Sequence, residues 1–111
     1  LRGGFERRGG CLVFHFTGQL DAYSEKQFMT YVVDVLQANP LPIVIDLSNI
    51  DFLDSSGLGA LVQTAKKCKD LKRVFSVVGN ARVTQTIKLV RLEEFLNLNS
   101  DLTGAIKKLK D

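Results

Sequence analysis

Leu12, Phe14 and Phe16 alternate with Cys11, Val13 and His15. This two-residue period belongs to a strand with one core face and one less apolar face. A shorter run, Phe5 to Arg8, precedes it, and Gly9-Gly10 between the two supplies the positive φ angles of a tight hairpin turn. The period then changes. From about Ala22 to Ala38, the residues Phe28, Tyr31, Val32, Val35 and Leu36 recur at helical spacing and predict a helix with one apolar stripe. Ser24 and Gln27 stand at capping-box spacing near its start. Asn39-Pro40-Leu41-Pro42 stops it, because a residue before proline avoids the α region.

Ile43 to Leu47 is short, continuous and rich in β-branched residues, the pattern of a strand covered on both faces. A polar loop is expected from Ser48 to Ser55. Leu58, Leu61, Val62, Ala65 and Cys68 mark the apolar face of a second helix, roughly Ser56 to Asp70. Val74 to Val78 reads as another buried strand, and Ala81 to Arg91 as a third helix with Val83, Ile87 and Val90 inward. Leu92 to Leu98 is short and ambiguous, with a strand as one reading. Ser100 can cap a last helix through Lys110, with Leu102, Ile106 and Leu109 on one side. Strands alternating with helices predict a single α/β domain over residues 1–111. Its sheet is mostly parallel, with four to five strands and an N-terminal hairpin, and about four helices pack on it.

Composition agrees. The chain has 111 residues, 45% hydrophobic and 24% charged, enough apolar side chain to fill one core. A net charge of +3 is too small to argue for nucleic acid. Two cysteines make neither a disulfide framework nor a zinc site, so a reducing, cytoplasmic setting is expected. No apolar run approaches the ~20 residues that span a bilayer.

The candidate chemistry lies between Asp46 and Gly59, where a strand ends and a helix opens. In open α/β sheets, functional groups gather beyond the carboxyl ends of strands. Gly57 and Gly59 fall in the first turns of the helix, where each is worse than alanine by ~1 kcal/mol. Such glycines are tolerated where another backbone approaches closely or a turn is tight. Phe52 and Leu53 are large and apolar within a polar stretch. One can staple the helix start while the other stands exposed for a partner. Ser55 or Ser56 falls at or near the N-cap. The plainer reading has Asp54 and Ser55 capping the helix and the glycines easing its packing. No lysine follows the glycines as in a P-loop, and the G-x-S-x-G order of a nucleophile elbow is absent.

The run Asp46-Leu47-Ser48, followed by Phe52-Leu53-Asp54-Ser55-Ser56-Gly57-Leu58-Gly59, closely resembles the signature of the STAS-domain anti-sigma factor antagonists. Gly18-Gln19-Leu20-Asp21-Ala22 resembles the family's other marker, the Gly-x-Leu-Asp turn before the first long helix. The resemblance covers nearly the whole chain in element order and length. It implies a non-enzymatic, bacterial partner-switching regulator of transcription. Ser56 would be phosphorylated by an anti-sigma factor that is also a serine kinase, with Ser55 as the neighbouring alternative. The unphosphorylated form would bind that kinase and free its client, and a PP2C-type phosphatase would restore the serine. Asp21 and Asp54 would shape the phosphosite, and Gly57 and Gly59 would permit close approach. Phe52, Leu53, Leu58 and the start of the second helix would carry recognition. A monomer without cofactor, metal, membrane span or direct nucleic-acid contact is expected. Two other readings stay open, the first allowed by the opening on Leu1 and not Met. They are a STAS interaction module of a transporter or larger signalling protein, and an accessory protein of a lipid-transport complex.

The remaining candidates read as structural. His15, the single histidine, has no metal-ligand neighbours in sequence and is expected to be a passive strand residue. Cys11 and Cys68 are expected to be buried, inert thiols. Lys66, Lys67, Lys69, Lys72 and Arg73 suit a solvated helix C-terminus, with docking of an acidic partner or lipid as the alternative. Tyr23 and Tyr31 are expected to pack within the first helix. The last helix, with Lys107, Lys108 and Lys110, is short and weakly apolar for a membrane surface.

Overall fold

A computed structural model describes residues 1–110. Its elements follow in the order β1 (Arg2–Arg8), β2 (Cys11–Leu20), α1 (Glu25–Ala38), β3 (Ile43–Leu53), α2 (Ser55–Asp70), β4 (Phe75–Gly79), α3 (Ala81–Leu89), β5 (Leu98–Asn99) and α4 (Leu102–Lys110). The five strands form one sheet in the order β1-β2-β3-β4-β5. β1 runs antiparallel to β2, and every other pair is parallel. The hairpin turns on Gly9 and Gly10, both at positive φ.

From β2 onward the chain advances one strand at a time in the same direction. Right-handed crossovers then place the three connecting helices on one face. Phe28, Val32 and Leu36 of α1, Leu61 and Cys68 of α2, and Ile87 of α3 share one core with Leu12, Phe14, Ile45 and Val77. Tyr31 meets Phe14 and Phe16 edge-on. α4 alone covers the opposite face, laying Leu102, Ala105, Ile106 and Leu109 over Cys11, Val13, Val44 and Val78.

Several boundaries differ from expectation. The predicted loop from Ser48 is strand as far as Leu53, because β2 also continues to Leu20 and pairs with it: Thr17 faces Asn49, Gly18 faces Ile50, and Leu20 faces Leu53. Ile50 and Leu53 turn into the core while Ser48, Asn49, Asp51 and Phe52 face solvent. α1 starts at Glu25, not Ala22, after a turn closed by Asp21. The capping box is not formed: the Ser24 hydroxyl donates to the Gln19 carbonyl, and the Gln27 amide donates to that of Leu1. Val74 precedes β4 and Val90 follows α3, and both are exposed. The ambiguous stretch ends in the two-residue strand β5. Asp101, not Ser100, caps α4, its carboxylate accepting from the Gly104 amide at 2.6 Å. The side chain of Lys110 lies outside the described residues.

Candidate functional site

The start of α2 lies at the carboxyl end of the parallel strands. Asp54 is its N-cap, with extended backbone, and its carboxylate accepts from the Gly57 amide at 2.9 Å. Ser55 and Ser56 are therefore the first two helical residues, and neither is the cap. Ser55 is exposed and Ser56 half-buried. Among the described residues, no side-chain hydrogen bond engages the Ser56 hydroxyl.

Two contacts fix this helix start to the sheet. The Asp54 amide donates to the Leu20 carbonyl at 3.4 Å. Gly57 lies against the same peptide group: a Cβ there would collide with the Leu20 oxygen and stand 2.8 Å from its carbonyl carbon and 2.9 Å from Leu53 Cδ1. Only glycine allows that approach. Gly59 differs, since a Cβ there would meet nothing within 4 Å. Close backbone approach thus holds for Gly57 and not for Gly59.

The two large apolar residues separate as well. Leu53 is only 7% exposed and belongs to the core. It precedes the cap, and Leu58 stands at the fourth helical position in the same core cluster, the two places of a hydrophobic staple. Leu53 therefore supports the helix start from the core. Phe52, on the outer face, is 44% exposed.

Asp21 lies in the β2–α1 turn that follows Leu20. Its carboxylate accepts from the amides of Tyr23 and Ser24 at 3.0 and 3.1 Å, so it closes the turn that leads into α1. That turn throws Tyr23 outward, 98% exposed, against the expectation that it packs. The sequence signal was present: Asp21 and Ser24, two side chains that bond nearby backbone, flank Tyr23. The solvent-exposed tip of β3 is held from α3. The Asn80 amide donates to the carbonyls of Ser48 and Ile50, and Arg82 donates to that of Asp51.

A groove of about 410 Å³ runs between α1 and α2 beside this start. Lys26, Met29 and Thr30 line one wall, and Ser56, Gly59 and Gln63 the other. A second groove, of about 520 Å³, opens between β4, β5 and α4. Three of its polar residues bond one another, with the Ser76 hydroxyl on the Asn97 carbonyl and the Asn99 amide on Ser76.

His15 is not passive. Its Nδ1 lies 2.8 Å from Asp46 Oδ2 and its Nε2 lies 2.7 Å from Glu6 Oε2, so one ring ties β1, β2 and β3 together. The Ser48 hydroxyl and amide donate to the other Asp46 oxygen. The strand register that aligns these groups is a long-range property, and no local sequence pattern carries it. Cys68 is fully buried. Burial pushes its thiol up to about 11, with the Arg73 guanidinium pulling the other way. It stays protonated and inert. The basic run is partly structural: Arg73 donates to the Leu36 and Leu41 carbonyls, and Lys69 sits 4.3 Å over the Phe95 ring. Among the described residues no group of His, Cys, Asp and Glu is placed to hold a metal ion, and no helix is long and apolar enough to cross a membrane.

Known proteins share both sequence and architecture with this chain. The anti-sigma-F factor antagonist RsfB of Mycobacterium tuberculosis is 33% identical over 98 residues, which cover 87% of this chain and 80% of RsfB. The crystal structure of an anti-sigma factor antagonist from Mycobacterium paratuberculosis superposes with a TM-score of 0.91 at 27% identity, over 99% of this chain and 94% of that one. The anti-sigma factor antagonist SpoIIAA in its unphosphorylated form shares the fold, with a TM-score of 0.79 at 15% identity over 98% and 96% of the two chains. The model of the STAS domain matches residues 5–105, nearly every element described above, and the chain belongs to that family.

Proposed function

We propose that this chain is an anti-sigma factor antagonist that works by partner switching in the bacterial cytoplasm. With Ser56 unmodified it binds an anti-sigma factor that is also a serine kinase. In the complex, the Ser56 hydroxyl oxygen attacks the γ-phosphorus of ATP, the bond to ADP breaks, and the hydroxyl proton passes to a base of the kinase. The phosphorylated chain is released, and a PP2C-type phosphatase hydrolyses the ester.

One observation carries this reading. At the start of α2, Asp54 does the capping, which leaves the Ser56 hydroxyl beside an open groove without a side-chain hydrogen bond among the described residues. Asp21 and Asp54 shape the backbone on either side of it, through the turn and the cap. Tyr23 and Phe52, exposed at the same end of the sheet, offer apolar area to a partner. A phosphate adds ≈ −1.5 to −2 charges two residues after the Asp54 cap, at the end of β3 where Asp51 is also exposed. That charge opposes docking of an acidic surface while the fold stays intact.

The test is phosphosite mapping by mass spectrometry on the protein recovered from its native cells, with and without phosphatase treatment. A phosphatase-sensitive phosphate on Ser56, lost in Ser56→Ala and retained in Ser55→Ala, is expected. Phosphate confined to Ser55, or none under any growth condition, overturns the assignment.

A further inference from the structure

Lys26 is the one cation lining the α1–α2 groove among the described residues. It is exposed and makes no ion pair or hydrogen bond with any described residue. The Ser56 side chain lines the same groove from the other helix. Thr30 and Gln63 add a hydroxyl and an amide to its walls, and Met29 and Ala60 supply apolar area. Gly59 keeps it open: it lies on the groove wall, and a Cβ there would meet nothing within 4 Å. The packing of α2 therefore does not require glycine at this position, and the missing side chain leaves the slot beside Ser56 wide.

We propose that this groove is the seat of the phosphate carried by Ser56, with the Lys26 ammonium as its counter-ion from the same chain, so that phosphorylation plugs the groove. The inference rests on Ser56 as the acceptor. A phosphoserine presents three acceptor oxygens, and an ammonium presents three donors, so the two can pair through direct hydrogen bonds. Glu25, also on the groove, works against the seat, while Asp54 is committed to the α2 cap and Asp21 to the β2–α1 turn. The unmodified protein carries a groove where Lys26 and Glu25 balance. The modified protein carries one filled by a dianion that Lys26 holds. Binding is then blocked by occupancy of the slot as well as by repulsion at its rim.

The experiment uses the full chain with phosphoserine installed at position 56 during translation, so it depends on no kinase. The phosphorus NMR signal is followed through the second ionisation of the phosphate. A cation beside the phosphate favours its dianion, and a carboxylate disfavours it. Lys26→Gln is therefore expected to move the midpoint up by about 0.3 to 0.5 unit, a size that suits an exposed pair. Glu25→Gln is expected to move it down. Gly59→Leu, which fills the slot without changing charge, is expected to move it up as Lys26→Gln does. Phosphorylation should also shift the amide signals of Thr30 and Gln63. Identical midpoints in all three variants, with amide shifts confined to residues 54–58, overturn the seat and leave the groove to a partner's side chain. That result leaves Ser56 as the acceptor untouched. Absence of phosphate on Ser56 in cells removes the acceptor assignment and leaves this measurement standing.

Discussion

Gly57 and Gly59 sit two residues apart in one helix and answer to different neighbours. Gly57 is pressed against the Leu20 peptide and the Leu53 side chain, both parts of the sheet. Gly57→Ala must push α2 off the end of β2, an overpacking expected to destabilise the fold by ~2–3 kcal/mol. Gly59→Ala adds a methyl group in open space and restricts the unfolded chain, with an expected gain of ~0.5–1 kcal/mol. Urea unfolding of the two variants checks this, and equal effects on the midpoint contradict the distinction. The sequence flags both glycines as unfavourable in a helix and cannot rank them, because the difference lies in where the Leu20 carbonyl falls. Leu53 and Phe52 repeat the lesson. Adjacent and both apolar, they are told apart only by the pleat of β3, which turns one inward and the other to solvent.

At the scale of elements, local pattern was enough where burial is one-sided and failed where a partner strand decides. The stripe of α1 and the apolar face of α4 were legible because helical spacing alone selects those residues. The outer half of β3 was not. Its solvent-facing Ser48, Asn49 and Asp51 look like a loop, and only pairing with the matching extension of β2 makes it strand. The same pairing gives His15 its function. Glu6 comes from β1, His15 from β2 and Asp46 from β3, so the bridge clamps the hairpin onto the parallel sheet. β1 is exposed along all seven residues, and this bridge joins the Phe5 contacts with Phe14 and Tyr31 and the Arg7–Asn39 hydrogen bond in tying that edge down. His15→Ala removes both ring contacts, to Glu6 and to Asp46, and leaves Asp46, nearly buried, with Ser48 alone. A loss of ~1–2 kcal/mol in urea unfolding is expected, with faster amide hydrogen exchange concentrated in β1. Unchanged exchange in β1 contradicts the clamp.

The whole molecule separates what folds from what switches. The core lies between the sheet and its helices, closed on the other face by α4, while the candidate phosphosite sits outside it at the carboxyl end of the strands. The α2 start is anchored by the Asp54 cap, by Gly57 against Leu20 and by the Leu53–Leu58 staple positions, none of which uses the Ser56 hydroxyl. A negative charge at the second helical position is also favourable to the helix dipole, by ~0.3–1 kcal/mol. Ser56→Asp is therefore expected to keep its melting temperature within about 2 °C of the parent. Its affinity for the anti-sigma factor is expected to fall at least tenfold, about 1.4 kcal/mol of binding energy. Calorimetry of the free chain and titration against the partner measure the two quantities separately. If melting temperature and affinity fall together, the charge acts by loosening α2, and the switch is a change of fold. If affinity falls alone, the switch is confined to the surface at the end of the sheet, and the rest of the molecule serves to hold that surface rigid while its charge changes.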